Sequence, residues 1–351
     1  MRHLRGWTVV LCACVVCGAA WGAPVYITGV PDWDQPVLTP GGPAVGSGWE
    51  AWCVPTATAN IMGYYRDLDV TNAIADGQVF PNTAAWNAPA GDFQDDTADP
   101  ASGAPGPGVT RNDIGWYMNT NDIGQTPTGG VGGTYIGTML SDVKPGLDGV
   151  RPANPAWKGY LSDNGVTATV TNAAIAGIGL DDTGAGFHTV ITVWPRIVTE
   201  IDAGRPVLIH FLHWGLVGRN QDTRDNGPVG LSSYDFAFWG ANPNADQNTG
   251  ESYTNPDIGH TVTLVGYWTG GNDPTNPFYN DDNQDAPNAV IVHDNNDGYL
   301  VNGPLPLVLP FDASCPWVMN TEITLVPEPA TMMLALVGAG SMLTLRRRRR
   351  R

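Results

Sequence analysis

Basic residues are scarce in this 351-residue chain: 17 Lys+Arg stand against 34 Asp+Glu, a formal charge of −17. Eight of the 17 lie at the ends, Arg2 and Arg5 at one and Arg346 to Arg351 at the other. With those ends and Glu328 set aside, nine basic residues face 33 acids, a charge of −24. That balance excludes nucleic acid and an anionic membrane surface as partners of the central region, because both would repel it. Charged residues of either sign make up only 15% of the chain, whereas 44 Gly and 29 Pro make its loops long and numerous. Cysteine is scarce too, five in all, and Cys12, Cys14 and Cys17 fall within the first 22 residues. No internal repeat is present.

What is present at the two ends is a pair of sorting segments. Arg2 and Arg5 form a basic start, Trp7 to Ala20 an apolar run, and Ala20-Trp21-Gly22 a small-residue cleavage site. Residues 1–22 therefore read as a signal peptide cut after Gly22. Leu11-Cys12-Ala13-Cys14 imitates a lipoprotein site poorly, so the first three cysteines leave with the leader. At the other end, Val326-Pro327-Glu328-Pro329 precedes an apolar stretch to Leu345 and then six arginines. About 16 residues of helix span ~24 Å, short of a ~30 Å hydrocarbon core. The arginines would hold the tail on the cytoplasmic side.

This three-part tag, residues 327–351, resembles the PEP-CTERM sorting signal of Gram-negative bacteria. The resemblance implies the secretion machinery and an exosortase as partners. It also implies a transient transmembrane anchor in the inner membrane and, after processing, a cell-surface or extracellular protein. A plain C-terminal membrane anchor is the other reading of the same residues.

Residues 23–326 remain as one large domain, with Cys53 and Cys315 its only cysteines. In an oxidising compartment two cysteines default to a disulfide. The surroundings of Cys53 point elsewhere. In Cys53-Val54-Pro55-Thr56-Ala57-Thr58-Ala59-Asn60-Ile61-Met62-Gly63-Tyr64-Tyr65, Pro55 suits a first helical turn, and Ala57, Ile61, Tyr64 and Leu68 form an apolar helical stripe. Cys53 thus stands where a helix begins, and the free N–H groups there favour thiolate over thiol.

That segment is similar to the nucleophile helix of papain-like cysteine peptidases, in particular the bacteriocin-leader-processing branch and its secreted relatives. Three further segments resemble the family in the same order. Glu200-Ile201-Asp202-Ala203-Gly204-Arg205-Pro206-Val207 reads as a helix end, a Gly stop and a buried strand. Gly259-His260-Thr261-Val262-Thr263-Leu264-Val265-Gly266-Tyr267 is similar to the histidine strand, and Ala289-Val290-Ile291-Val292-His293-Asp294 to the strand ending in the orienting acid.

The resemblance implies an α+β fold, with the nucleophile helix packed on an antiparallel sheet. It implies an exported thiol hydrolase of peptide or amide bonds needing no cofactor. Cys53 would be the nucleophile, His260 its acid–base partner, and Asp294 the group that fixes the imidazole. Two departures stand out. Ser47 occupies the place of the family's oxyanion glutamine, and Val54 replaces the small residue after the cysteine. Gln35 or the indoles of Trp49 and Trp52 are the candidate replacements for the missing donor. Other readings stay open: a Cys53–Cys315 disulfide, His260 as a satisfied polar residue, and Asp294 as a turn-former before Asn295-Asn296-Asp297-Gly298. So does an inert surface protein on the same scaffold, binding an extracellular polysaccharide of a biofilm matrix through Trp-rich loops.

No metal site is expected. His210 and His213 fall on opposite faces of one strand, and His188 and His293 have no carboxylate partner evident in sequence. Asp281-Asp282-Asn283-Gln284-Asp285 spaces its acids like a calcium loop, yet Ala286 and Val292 replace the Gly and Glu that an EF-hand requires, which leaves solvated loops or looser calcium binding as the readings. Residues 70–195 read as an insertion shaping the substrate cleft, with a short helix at 112–118 and a strand at 167–170.

Overall fold

The computed structural model describes residues 24–33, 53–70, 114–118, 138–149, 159–163, 166–186, 188–212, 214–222, 233–240, 259–294 and 305–326. Five helices are defined there: α1 (Cys53–Val70), α2 (Ile114–Tyr117), α3 (Leu140–Asp148), α4 (Tyr160–Asp163) and α5 (Val190–Asp202). The strands are β1 (Val25–Tyr26), β2 (Ala168–Ala174), β3 (Val207–Phe211), β4 (Leu216–Asp222) and β5 (Tyr234–Trp239), then β6 (His260–Trp268), β7 (Ala289–His293), β8 (Leu307–Pro310) and β9 (Trp317–Leu325). They form one sheet in the order β2-β9-β3-β6-β7-β8-β5-β4, with β1 added alongside β6. Its pairs are antiparallel apart from β5 with β8. The expected α+β class is what the chain adopts.

The central strands are apolar on both faces because both faces are covered. Every residue of β3, β6 and β7 is buried, as expected of strands inside a sheet clothed by helices. The α1 helix packs on β6 and β3, α2 packs on α1, and α5 packs on β6, β1 and β3. Sandwiched in this way, α1 is buried all round from Val54 to Tyr65, polar Thr56, Thr58 and Asn60 included. The single stripe expected from Ala57, Ile61, Tyr64 and Leu68 understates that burial: the helix lies inside the molecule and not on its surface.

The α5 helix shows how local sequence sets its limits. The Thr189 hydroxyl accepts from Thr192 N–H and the Thr192 hydroxyl from Thr189 N–H, a reciprocal cap. Val193, Ile197 and Ile201 fill the core, and the chain leaves the helix through Gly204 at φ 71°. Glu200 then closes on Arg205 through two hydrogen bonds of 2.6 and 2.8 Å. This fork ties the end of α5 to the start of β3, which accounts for a Glu and an Arg on either side of the Gly in that motif. A second guanidinium–carboxylate pair, Arg196 with Glu322, fastens α5 to β9.

Part of the segment read as an insertion belongs to the sheet. All of β2 pairs with β9, from Ala168↔Leu325 to Ala174↔Met319, and the short helix expected at 112–118 is α2, resting on α1. Among the described residues no helix is long and apolar enough to cross a membrane.

Candidate active site

Three elements bring the chemistry together. Cys53 is the first residue of α1, His260 the first of β6, and Asp294 follows the last residue of β7. Strands β6 and β7 are antiparallel, with Thr263 opposite His293, so the start of one lies beside the end of the other. His260 Nε2 consequently stands 3.1 Å from Asp294 Oδ1, both side chains almost fully buried. The half-buried Cys53 side chain is hydrogen-bonded to His260, and the backbone N–H groups of Val54 and Thr261 also reach its sulfur.

The electrostatics of the pair run in opposite directions. Burial by itself would push the Cys53 thiol up. The hydrogen bond and charge of His260, with the two N–H groups, outweigh it and hold the thiol below its ordinary value. Burial would likewise lower His260, yet its bonds to Asp294 and Cys53 and their negative charge raise it to about 9. The favoured state is thiolate beside imidazolium.

Trp214, a residue outside every motif noted in the sequence, packs against His260. Its ring centroid lies 4.5 Å from that of His260 at an interplanar angle of 59°. It packs in turn on Phe211 at 5.3 Å and Trp239 at 5.8 Å. Trp214 joins β3 to β4, and no spacing rule links it to His260, so only the folded chain reveals it.

The nucleophile helix is pinned to the histidine strand. Thr263 Oγ1 donates to Ala57 O at 3.0 Å, and Asn60 Nδ2 donates to Thr263 Oγ1 at 3.4 Å. Asn60 Oδ1 also accepts from Trp33 N–H at 3.1 Å, which draws residues 24–33 into the site. That segment pairs with β6 through Val25↔Tyr267 and Tyr26↔Gly266. Its Pro31 carbonyl accepts from His293 Nδ1 at 3.1 Å, leaving Nε2 to accept from the Tyr26 hydroxyl at 3.0 Å. A stretch of ten residues (24–33) thus touches all three elements that carry the candidate triad.

The remaining candidates fall out as follows. Cys53 and Cys315 are both free thiols, so the disulfide reading does not hold. Cys315 is buried, and burial pushes its thiol up, the reverse of Cys53. Gln35, Ser47, Trp49 and Trp52 lie outside the described residues, as does His213. His188 does have a carboxylate neighbour, contrary to expectation: Asp181 Oδ2 is 3.3 Å from its Nε2, brought back by the turn of residues 176–186. His293 has Asp32 at 3.9 Å. In the 281–285 loop, Asn280 and Asn283 side chains accept from the Asp282 and Asp285 N–H groups, a pair of turns with exposed acids. Among the described residues no group of three or more His, Cys, Asp or Glu side chains is arranged to hold a metal.

Comparison with known proteins yields two findings. The PEP-CTERM protein-sorting motif matches residues 325–351, so the chain carries an export signal recognised by an exosortase and sorted at the membrane through its C-terminus. Among solved structures, the chain is similar to xylellain, a cysteine protease from Xylella fastidiosa. The two share 10% identity at a TM-score of 0.29, over 88% of this chain and 97% of that one. No curated protein matches the chain in sequence.

Proposed function

We propose that this exported protein is a thiol hydrolase of peptide or amide bonds, with Cys53 as nucleophile, His260 as acid–base and Asp294 as the group that orients His260. The observation that carries the reading is one buried constellation. A helix-start cysteine with a lowered pKa touches a histidine raised to about 9, itself held by a carboxylate at 3.1 Å. A structural cysteine needs none of this, as Cys315 illustrates.

In the mechanism, the Cys53 thiolate attacks the carbonyl carbon and the carbonyl π pair moves to oxygen. The Cys53 backbone N–H at the helix start would remain as a donor to the developing oxyanion. Collapse expels the amine, which takes its proton from the His260 imidazolium. His260, now neutral, removes a proton from water as it attacks the thioester, and Cys53 leaves again as thiolate. Asp294 keeps Nε2 occupied throughout, so the other ring nitrogen faces the sulfur. The chemistry would act on a peptide or protein substrate outside the inner membrane, at the cell surface or beyond it, a location that the sorting motif at residues 325–351 supports.

The test is labelling and turnover with residues 23–326. An epoxysuccinyl probe is expected to modify Cys53 and not Cys315, and peptide substrates to be cleaved by the wild type but not by Cys53→Ala. A folded protein that neither labels at Cys53 nor cleaves any peptide would leave the inert polysaccharide-binding reading in its place.

A further inference from the structure

A buried polar row crosses the sheet beneath the site, and its hydrogen bonds can run in only one direction. Thr261 of β6, His210 of β3, Thr321 of β9 and Asn172 of β2 lie on four consecutive strands. All four are buried. The Thr321 hydroxyl donates to Asn172 Oδ1 at 2.9 Å, so its proton is committed. Its oxygen must therefore accept from His210 Nε2 at 3.2 Å, which makes His210 the Nε2–H tautomer. His210 Nδ1 is then an acceptor, and the Thr261 hydroxyl donates to it at 2.8 Å. Asn172 is anchored from its far side, its N–H donating to Asp182 Oδ1 at 2.7 Å.

Thr261 is where this row meets the thiol, because its backbone N–H lies on the Cys53 sulfur. The β7 register begins only at Thr263↔His293, so among the described residues the strand partners of His260 and Thr261 are Phe211 and His210 of β3. At that very place β3 shifts register against β9, between His210 and Phe211. A side-chain tie counts for most where ladder bonds are fewest.

We infer that His210 is a positioning residue of the thiol site: it holds Thr261, and with it the start of β6, so that the Thr261 N–H stays on the Cys53 sulfur. The inference rests on the proposed Cys53–His260–Asp294 site. His210 touches none of the reacting atoms. It stays neutral, since burial lowers it to about 3, and neutrality is what leaves Nδ1 free to accept from Thr261. The charged and titratable groups near the row include Cys53, His260 and Asp294 at the Thr261 end and Asp182, ion-paired with Lys144, at the Asn172 end.

The experiment measures the rate of Cys53 alkylation by iodoacetamide against pH, on protein purified as the exporting cell leaves it. His210→Leu breaks both bonds. It is expected to move the midpoint up by about one pH unit, slowing alkylation below the midpoint about tenfold. His210→Gln, whose amide oxygen accepts and whose NH₂ donates, is expected to restore the wild-type profile. Thr321→Val, which removes only the acceptor for Nε2–H, is expected to shift the midpoint the same way by less, and it decides the matter if His210→Leu does not fold. Nitrogen-15 NMR is expected to show the Nε2–H tautomer at His210. A low wild-type midpoint left unmoved in the folded variants, or an Nδ1–H tautomer, would overturn the positioning role alone. A wild-type midpoint in the ordinary thiol range would overturn the thiol-site reading and this inference with it.

Discussion

At the scale of single residues, the site is a competition between desolvation and pairing. Burial opposes charge on both Cys53 and His260, and pairing wins for both. Cys315, buried beside the Asp312 carboxylate with only the Trp317 N–H to offset burial, is pushed up instead. This difference sets a pH window. Hydrolysis is expected to rise as pH climbs through the depressed Cys53 value and to fall as pH passes about 9, where His260 loses the proton the leaving amine needs. Turnover measured across that range against alkylation alone checks it, because alkylation needs no acid and should persist above 9. Stability follows the same sign. A histidine raised in the folded state stabilises fully below its unfolded value near 6.5, and the contribution is lost as pH rises through about 9. Thermal melts at stepped pH, in wild type and His260→Ala, would show the wild type alone losing stability across that interval. Asp294→Ala removes the partner of Nε2. Turnover should fall on the order of 10²–10⁴-fold while circular dichroism stays native.

At the scale of elements, α1 and β6 matter most because their starts carry Cys53 and His260, the proposed nucleophile and acid–base. Their relative position depends on Thr263, Asn60 and the 24–33 segment. Glycine marks the closest approaches. A Cβ on Gly63 of α1 would come within 2.7 Å of the Trp33 indole and 3.0 Å of Pro31. One on Gly266 of β6 would land on the Val25 carbonyl oxygen and clash with β1 backbone. Gly63→Ala and Gly266→Ala are each expected to cost about 1–3 kcal/mol in urea unfolding, as overpacking does. Both should also lower Cys53 labelling, since each loosens the segment that binds α1 and β7. Native labelling in a destabilised Gly266→Ala protein would show that β1 supports the fold without tuning the site.

At the scale of the whole molecule, the folded domain and the sorting signal abut. Strand β9 runs to Leu325 and pairs with both β2 and β3. The Val326 N–H donates to Thr167 O at 2.9 Å, and Pro327 comes next. A chain ending at Val326 is therefore expected to fold and label normally. One ending at Pro316 loses β9, uncovers β2 and β3, and should fail to fold; limited proteolysis distinguishes the two. In the full chain, removing Arg346 to Arg351 is expected to mis-sort the protein. Recovery of an intact C-terminus from the membrane fraction of wild-type cells would mean the motif acts as a plain anchor.

Local sequence determined a good deal by itself. The helix start at Cys53, the Gly204 stop, the strands from His260 and to Asp294, and the sorting signal all follow from short-range patterns of apolarity, turn residues and charge. Those patterns act over a few residues, which is why they can be read without a fold. Other features needed the sheet to close. The segment read as an insertion supplies an edge strand, because pairing of β2 with β9 links residues about 150 positions apart in the numbering. His188 acquires Asp181 through a turn, and α1 is buried on every side because a second helix covers the face away from the sheet. Trp214 reaches His260, and His210 reaches Thr261 and Thr321, across strands that register places together. Residue type and spacing named the candidate groups that the fold brings together. Which groups hold them, and in which protonation state, was decided by packing, since desolvation and hydrogen-bond direction exist only once the neighbours are in place.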